Sequence, residues 1–189
     1  MRTLIVSEYV TLDGVMEAPG GEPGHPHTGW VFDFEDDEQI THKHQEVIAA
    51  ETLLIGRVTY ESFAGAWPDY KGDFADRMNG MEKIVVSNTL TDPAWNNTRV
   101  LSGDVVEGVT RLKAQAGGPI LVGGSATLAH TLLEHELADE LRLLVFPVTV
   151  GSGVRVFPES ANKVVWTPTG SRTFPSGARE DRYRATSRR

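Results

Sequence analysis

Ile120-Leu121-Val122-Gly123-Gly124-Ser125-Ala126-Thr127-Leu128 is the stretch that decides the fold. A short apolar run stops at a glycine pair, and helical spacing (Leu128, Ala129, Leu132, Leu133) begins directly after it. A buried strand, two glycines and a helix start put bare backbone N–H groups at the carboxyl end of a sheet. The helix macrodipole favours anions there, and the missing side chains let a phosphate approach closely. A tight strand-to-helix turn without a ligand has the same appearance, because a lone glycine pair is a weak motif.

A second stretch repeats the arrangement. Leu53-Leu54-Ile55 reaches Gly56, and a helix is predicted from Thr59 to about Ala64. Its amino end offers the guanidinium of Arg57, whose fixed fork of donors suits phosphate, and the hydroxyl of Thr59, which either caps the helix or bonds a pyrophosphate oxygen. A third strand, Lys83 to Ser87, ends in Ser87-Asn88-Thr89. Three such strand ends predict one crevice along the carboxyl edge of a sheet, where ligands of α/β proteins bind.

Outward from these, Leu4-Ile5-Val6 opens a buried strand running to about Val10, and a long Gly- and Pro-rich loop follows from Leu12 to Gly24. Loops of that length are commonly lids or binding loops. Ile40, His44, Val47 and Ile48 have helical spacing behind Asp36 to Glu38, and Val105, Val109 and Leu112 mark another helix. Val100-Leu101 reads as a short strand and Leu141 to Val150 as a long one. Val164-Val165-Trp166 and Tyr183 to Thr186 read as an antiparallel pair across Pro175-Ser176-Gly177. Strands alternating with helices before a closing hairpin predict an α/β fold with a mixed sheet, in a single domain spanning 1–189.

The formal net charge of -8 argues against general nucleic-acid binding, which rests on basic surface. Acidic residues crowd Asp33 to Glu38, and Arg172, Arg179, Arg182, Arg184, Arg188 and Arg189 crowd the end; a solvated helix start and a basic tail account for both. With no cysteine there is no disulfide, thiolate metal site or cysteine nucleophile. The opening residues do not resemble a signal peptide, and no apolar run approaches the ~20 residues of a membrane span, so a cytoplasmic protein is expected.

Gly56-Arg57-Val58-Thr59-Tyr60-Glu61-Ser62, Ile84-Val85-Val86-Ser87-Asn88-Thr89-Leu90 and Ile120 to Gly124, in that order, resemble the dihydrofolate reductase fold. Ser7 with Thr11-Leu12-Asp13-Gly14-Val15, Glu140-Leu141-Arg142-Leu143 and Val148 to Gly153 are similar to the bacterial subgroup related to the riboflavin-biosynthesis reductase domain. The resemblance covers nearly the whole chain. It implies a central mixed, mostly parallel sheet of about eight strands flanked by helices, with NADPH across the strand ends. Gly56, Arg57 and Thr59 would hold adenosine-side phosphates, and Ser87 and Asn88 would sit near the adenine ribose. Gly123, Gly124, Ser125, Ala126 and Thr127 would wrap the pyrophosphate, while Asp13 and Gly14 would belong to the loop closing over the nicotinamide. Folate reductases often carry arginine where Asn88 stands, which leaves Arg57 as the candidate for the 2′-phosphate.

The substrate half is less explicit. The resemblance implies a pocket carboxylate on the helix after the first loop, for which Asp33, Asp36 and Asp37 are candidates, although helix-start charge explains them equally. Asp13 is the alternative catalytic group, or a turn former before Gly14. Trp30, Phe32 and Phe34 could stack on a flat heterocycle or belong to the core. His42 and His44, two apart on a helix, point to nearly opposite sides, and neither His25 and His27 nor His130 and His135 are better placed, so no metal site is expected. No Gly-x-Ser-x-Gly elbow is present, which disfavours a hydrolase. The expectation is an NADPH-dependent oxidoreductase of a small heterocycle, pterin-like or of the aminopyrimidine, riboflavin-precursor-like kind. The alternative is a nucleotide-binding protein of the same fold that senses or associates without catalysis. The late apolar strands, and pairing through such strands in riboflavin reductase-type relatives, suggest a homodimer.

Overall fold

Each short apolar run that ends in glycine or a polar turn forms a strand of one sheet. The computed structural model describes residues 1–34, 36–159 and 163–186, so Arg188 and Arg189 of the basic tail lie outside the described residues. The strands are β1 (Leu4–Thr11), β2 (Thr52–Gly56), β3 (Glu82–Val86), β4 (Thr98–Leu101), β5 (Ile120–Val122), β6 (Glu140–Phe146), β7 (Trp166–Thr173) and β8 (Arg179–Ala185). Their spatial order is β4-β3-β2-β5-β1-β6-β8-β7. The pairs from β4 to β6 are parallel, and β8 joins both β6 and β7 antiparallel. The expected α/β architecture, an eight-stranded, mostly parallel mixed sheet with a closing antiparallel hairpin, is the one observed.

Successive strand residues face opposite sides, so the sheet has two apolar faces to cover. One carries Leu4, Val6, Leu54, Ile84, Ile120 and Val122, and packs under the helices α4 (Val105–Ala114) and α5 (Ala126–Glu134). The other carries Ile5, Leu53, Ile55 and Val85, and packs under α1 (Asp37–Ala49), α2 (Arg57–Ala66) and α3 (Asp73–Gly80) through Val47, Tyr60 and Met78. A third cluster, Trp30, Val31, Leu144, Phe146 and Phe174, seats the long loop against β6 and the hairpin.

Three local expectations change. The strand expected over Leu141 to Val150 stops at Phe146, because Pro147 lacks a donor and the Val148 N–H turns back to the Phe146 carbonyl (2.8 Å). Leu144 and Phe146 are core residues, and Val165 is exposed but precedes β7 rather than lying within it. The arginines of the hairpin that are described are paired rather than free: Arg172 with Glu38 (2.5 Å), Arg179 with Asp181 (2.6 Å), Arg182 with Glu180 and Arg184 with Glu140 (3.9 Å).

Helix α3 carries too few apolar residues to show a helical pattern, and it is held from below by a cation. Lys83 of β3 is wholly buried, and its Nζ donates to the carbonyls of Met78, Asn79 and Met81, each at 2.9 Å. It thereby satisfies the acceptors that the end of α3 leaves unpaired, over the face of Trp95 (4.3 Å to the ring centroid). Burial, reinforced by Arg77, lowers its pKa to about 8. Lys83→Met keeps the stem and removes the three donors. It should cost about 2–4 kcal/mol in urea denaturation, given about 1–3 kcal/mol per buried orphaned acceptor and partial rehydration; a loss below ~1 kcal/mol would show that the amine does not hold α3.

Candidate active site

Strands β2 and β5 are neighbours, yet they send their helices to opposite faces of the sheet: α2 to one, α5 to the other. This is a topological switch point, and the two helix starts flank a cavity of about 950 Å³. Side-chain capping separates these two helices from α1 and α4. Asp36 caps α1 through the Gln39 N–H (2.8 Å) and Asp104 caps α4 through the Glu107 N–H (2.8 Å). Neither Gly56, before α2, nor Ser125, before α5, makes a side-chain cap. Two uncapped amino ends with the same dipole sign therefore share one cavity, a favourable place for phosphate.

Ser125 locks the two starts together. Its Oγ accepts from the Gly56 N–H (2.9 Å) and donates to Thr59 Oγ1 (2.8 Å). Reaching both requires successive left-handed residues, Gly124 at φ +66° and Ser125 at φ +60°. Glycine adopts that conformation freely, whereas for serine it is costly and is held here by the two hydrogen bonds.

The other half of the cavity is lined by charged side chains from β1 and α1. Ser7 faces α1, where its Oγ accepts from Lys43 Nζ (2.7 Å) and donates to Glu46 Oε1 (2.7 Å). Glu46 also pairs with Lys43 directly and with Arg142 NH1 (3.1 Å). Burial alone would push the Glu46 carboxyl up, but Lys43, Ser7 and Arg142 outweigh it and hold its pKa at about 2. Glu8, one residue on, points to the opposite face of the sheet. It is 3% exposed; Oε2 accepts from the Gly124 N–H (2.8 Å), while Oε1 is buried without a hydrogen-bond partner. Burial dominates and pushes its carboxyl well above the usual range; the Gly124 amide and Lys43 offset this only in part, and Glu46 adds to it. Two glutamates lining one cavity thus have their proton affinities shifted in opposite directions.

Gly56, Arg57, Thr59, Gly123, Gly124, Ser125, Ala126 and Thr127 all line this cavity. Asp13, Gly14, Ser87 and Asn88 are not among its lining residues. The Asp13 carboxylate accepts from Thr11 Oγ1 (2.6 Å), the Gly151 N–H (2.8 Å) and the Val150 N–H (3.3 Å), and these bonds, led by Thr11, lower its pKa to about 2. It staples the first loop to residues 150–156, and Gly14 does so too through its carbonyl, which accepts from the Val156 N–H (2.9 Å). Ser87 closes its own turn by accepting from the Leu90 N–H (3.0 Å), and Asn88 accepts from the Gly103 N–H (2.7 Å). Arg57 reaches Glu61 (2.7 Å) with both side chains about half exposed.

Trp30 and Phe34 pack on Phe146, and Phe32 is exposed; none of the three lines the cavity. Asp36 is the cap of α1 and also accepts from the Ser176 N–H (2.9 Å). His42 meets Glu180 (3.0 Å), whereas His44 stacks on Phe74 (3.8 Å between centroids) at the cavity wall, so the two do diverge. Among the described residues no cluster suited to a metal ion occurs, and no helix is long and apolar enough to cross a membrane. The loop from Met16 to Pro23 lines the cavity mouth, with Glu17 tied to the Val154 N–H (2.8 Å).

Ser7, Glu8, Lys43 and Glu46 are the site residues that sequence reasoning missed. A signal existed for one of them: Leu4, Val6 and Val10 are inward positions of β1, and Glu8 places a carboxyl in that series.

The RibD C-terminal domain family profile matches residues 2–179. The chain belongs to this family. It is 27% identical over 181 residues to the uncharacterized protein YyaP of Bacillus subtilis, covering 93% of this chain and 91% of that protein. A putative riboflavin biosynthesis protein from Shewanella sp. PV-4 superposes with a TM-score of 0.78 at 20% identity, over 98% of this chain and 99% of the other. Dihydrofolate reductase from Enterococcus faecalis, complexed with NADP(H), gives 0.64 at 16% identity, over 98% and 97%. At these identities the structures establish the shared fold, and the family match supports a reductase-like role.

Glu46→Gln would leave Lys43 and Arg142 facing a neutral amide, and should cost about 3–5 kcal/mol at neutral pH, the usual range when one member of a buried pair is removed. Because the folded carboxyl titrates near 2 rather than 4.5, its contribution is complete above pH 4.5 and is lost as pH falls toward 2. Denaturation between pH 7 and 2.5 should therefore show a smaller acid loss in the variant than in the wild type; equal slopes would remove Glu46 from the ionised pair.

Proposed function

We propose that the chain is an NADPH-dependent reductase that passes hydride to a small, planar, non-phosphorylated heterocycle of the pterin or aminopyrimidine type. The observation that carries this reading is the convergence of two uncapped helix starts on a cavity whose other half holds a buried carboxyl pair. Family membership and the NADP(H)-bound structural relative support it.

The residues present fit a dinucleotide. Backbone N–H groups from Arg57 to Thr59 and from Ser125 to Thr127 would hold the pyrophosphate, with Gly56, Gly123 and Gly124 letting it approach closely, and the Arg57 guanidinium would take the 2′-phosphate. The bound cofactor supplies the hydride. Tyr9, Met16 and Phe74 give the substrate end apolar walls suited to a flat ring. Lys43, the lysine of that end, is already engaged by Glu46, so a phosphorylated substrate finds no free cation there. The loop from Met16 to Pro23 keeps water from the reacting atoms.

NADPH binding is measured first by calorimetry, and NADPH oxidation is then followed with a panel of pterins and aminopyrimidines. The reading expects binding and turnover with at least one compound. Binding without turnover across the panel would instead favour a nucleotide-binding protein that senses or associates.

Arg57 decides cofactor choice. Its pair with Glu61 is solvent-exposed and contributes little to stability. Arg57→Ala should leave the melting temperature nearly unchanged, weaken NADPH about ten- to a hundredfold, and leave NADH within about twofold, since charge-assisted bonds are worth roughly 1.5–3 kcal/mol. An equal loss for both cofactors rejects the 2′-phosphate assignment.

A further inference from the structure

Hydride addition to a C=N or C=O bond needs a proton as well as a hydride, and two buried carboxyls line the cavity as candidates to give it. The one on helix α1, Glu46, cannot serve. Oε1 is occupied by Ser7 and Lys43 and Oε2 by Arg142, so both oxygens already accept from donors that hold the carboxylate as an anion. Glu8 is the reverse case. One oxygen rests on the Gly124 N–H, within the turn that separates β5 from α5, and the other is buried with no hydrogen-bond partner. A buried carboxyl oxygen without a partner is costly as an anion and far cheaper as an O–H, which needs only an acceptor brought by a ligand. Glu8 also stands where the two halves of the cavity meet: its backbone lies beside Ser7, and its carboxyl touches the glycine turn of the phosphate cradle.

We propose that Glu8, from strand β1, rather than the carboxylate on helix α1, delivers the proton to the substrate atom that hydride transfer leaves electron-rich. The proposal rests on the reductase reading above and assigns its acid. In the step, a hydride with its electron pair leaves the dihydronicotinamide ring for the substrate carbon. The π pair of the C=N or C=O bond moves onto nitrogen or oxygen. The Glu8 O–H bond breaks as the new N–H or O–H bond forms. The substrate gains two electrons and two hydrogens, and the nicotinamide is oxidised. The Glu8 carboxylate left behind keeps the Gly124 N–H and the longer-range attraction of Lys43, and water returns its proton once the product departs. The charges acting on Glu8 are those of Lys43 and Glu46, both from α1; the raised proton affinity that burial confers keeps the acid loaded at neutral pH.

Two measurements test this, one of which needs no turnover. Infrared difference spectroscopy of the wild type against Glu8→Gln, on protein without ligands, should show a protonated-carboxyl band at pH 7 that is missing in the variant and fades as pH rises. Glutamine preserves the acceptor for Gly124 and the side-chain shape, so melting temperature and NADPH affinity should stay within about threefold or a few degrees of wild type. Single-turnover reduction of whichever panel compound the wild type accepts should fall at least a hundredfold in Glu8→Gln. The wild-type rate should decline with rising pH in step with the infrared band, whereas the residual rate of the variant should not. An ionised Glu8 at pH 7, or a variant that reduces the compound at the wild-type rate, overturns the assignment while leaving the reductase reading intact. A wild type that binds NADPH yet reduces nothing overturns both, and the infrared band then reports only a buried acid.

Discussion

The adjacency of β2 and β5, with their helices on opposite faces, is the constraint from which the site follows. Because β5 is inserted between β2 and β1, the chain must leave the sheet in two directions at one point, and the gap so opened cannot be filled by either helix. Both helix starts face that gap without side-chain caps. The one hydroxyl that spans them, Ser125 Oγ, ties the Gly56 amide to the Thr59 hydroxyl. The left-handed pair at Gly124 and Ser125 is the local conformation that makes this bridge possible.

A second consequence of the same geometry is the separation of two glutamates into different chemical roles. Ser7 and Glu8 are consecutive on β1 and so face opposite sides of the sheet. Ser7 helps build an ionic cluster with Lys43, Glu46 and Arg142 in which both Glu46 oxygens are engaged, while Glu8 receives one backbone amide and no cation at bonding distance. Paired cations depress one carboxyl and burial lifts the other. The cavity lining therefore holds one carboxyl favoured as the anion and one whose proton affinity is raised, beside the uncapped helix starts.

What was legible in the sequence was whatever depends on local pattern. Apolar runs ending at Gly56 and at Gly123-Gly124 identified two strands, their helices and the cradle between them. The order of motifs pointed to the right fold, and the hairpin followed from its turn residues. What was not legible depended on contacts distant in sequence. Asp13 stands before a glycine in a loop, as a catalytic acid can, yet it faces the backbone of residues 150 and 151. Glu8, Lys43 and Glu46 looked like ordinary charges until the fold brought β1 and α1 together. Helix α3 escaped notice because its support is a lysine on the next strand rather than an apolar stripe of its own.

The central claim is that a nicotinamide dinucleotide lies across the paired starts of α2 and α5. A crystal structure of the protein grown with NADPH tests it most directly. The account predicts pyrophosphate density against the backbone N–H groups of Arg57 to Thr59 and Ser125 to Thr127, with the nicotinamide directed toward β1 and Glu8. Well-ordered cofactor bound elsewhere, or these helix starts left vacant at saturating NADPH, would contradict it.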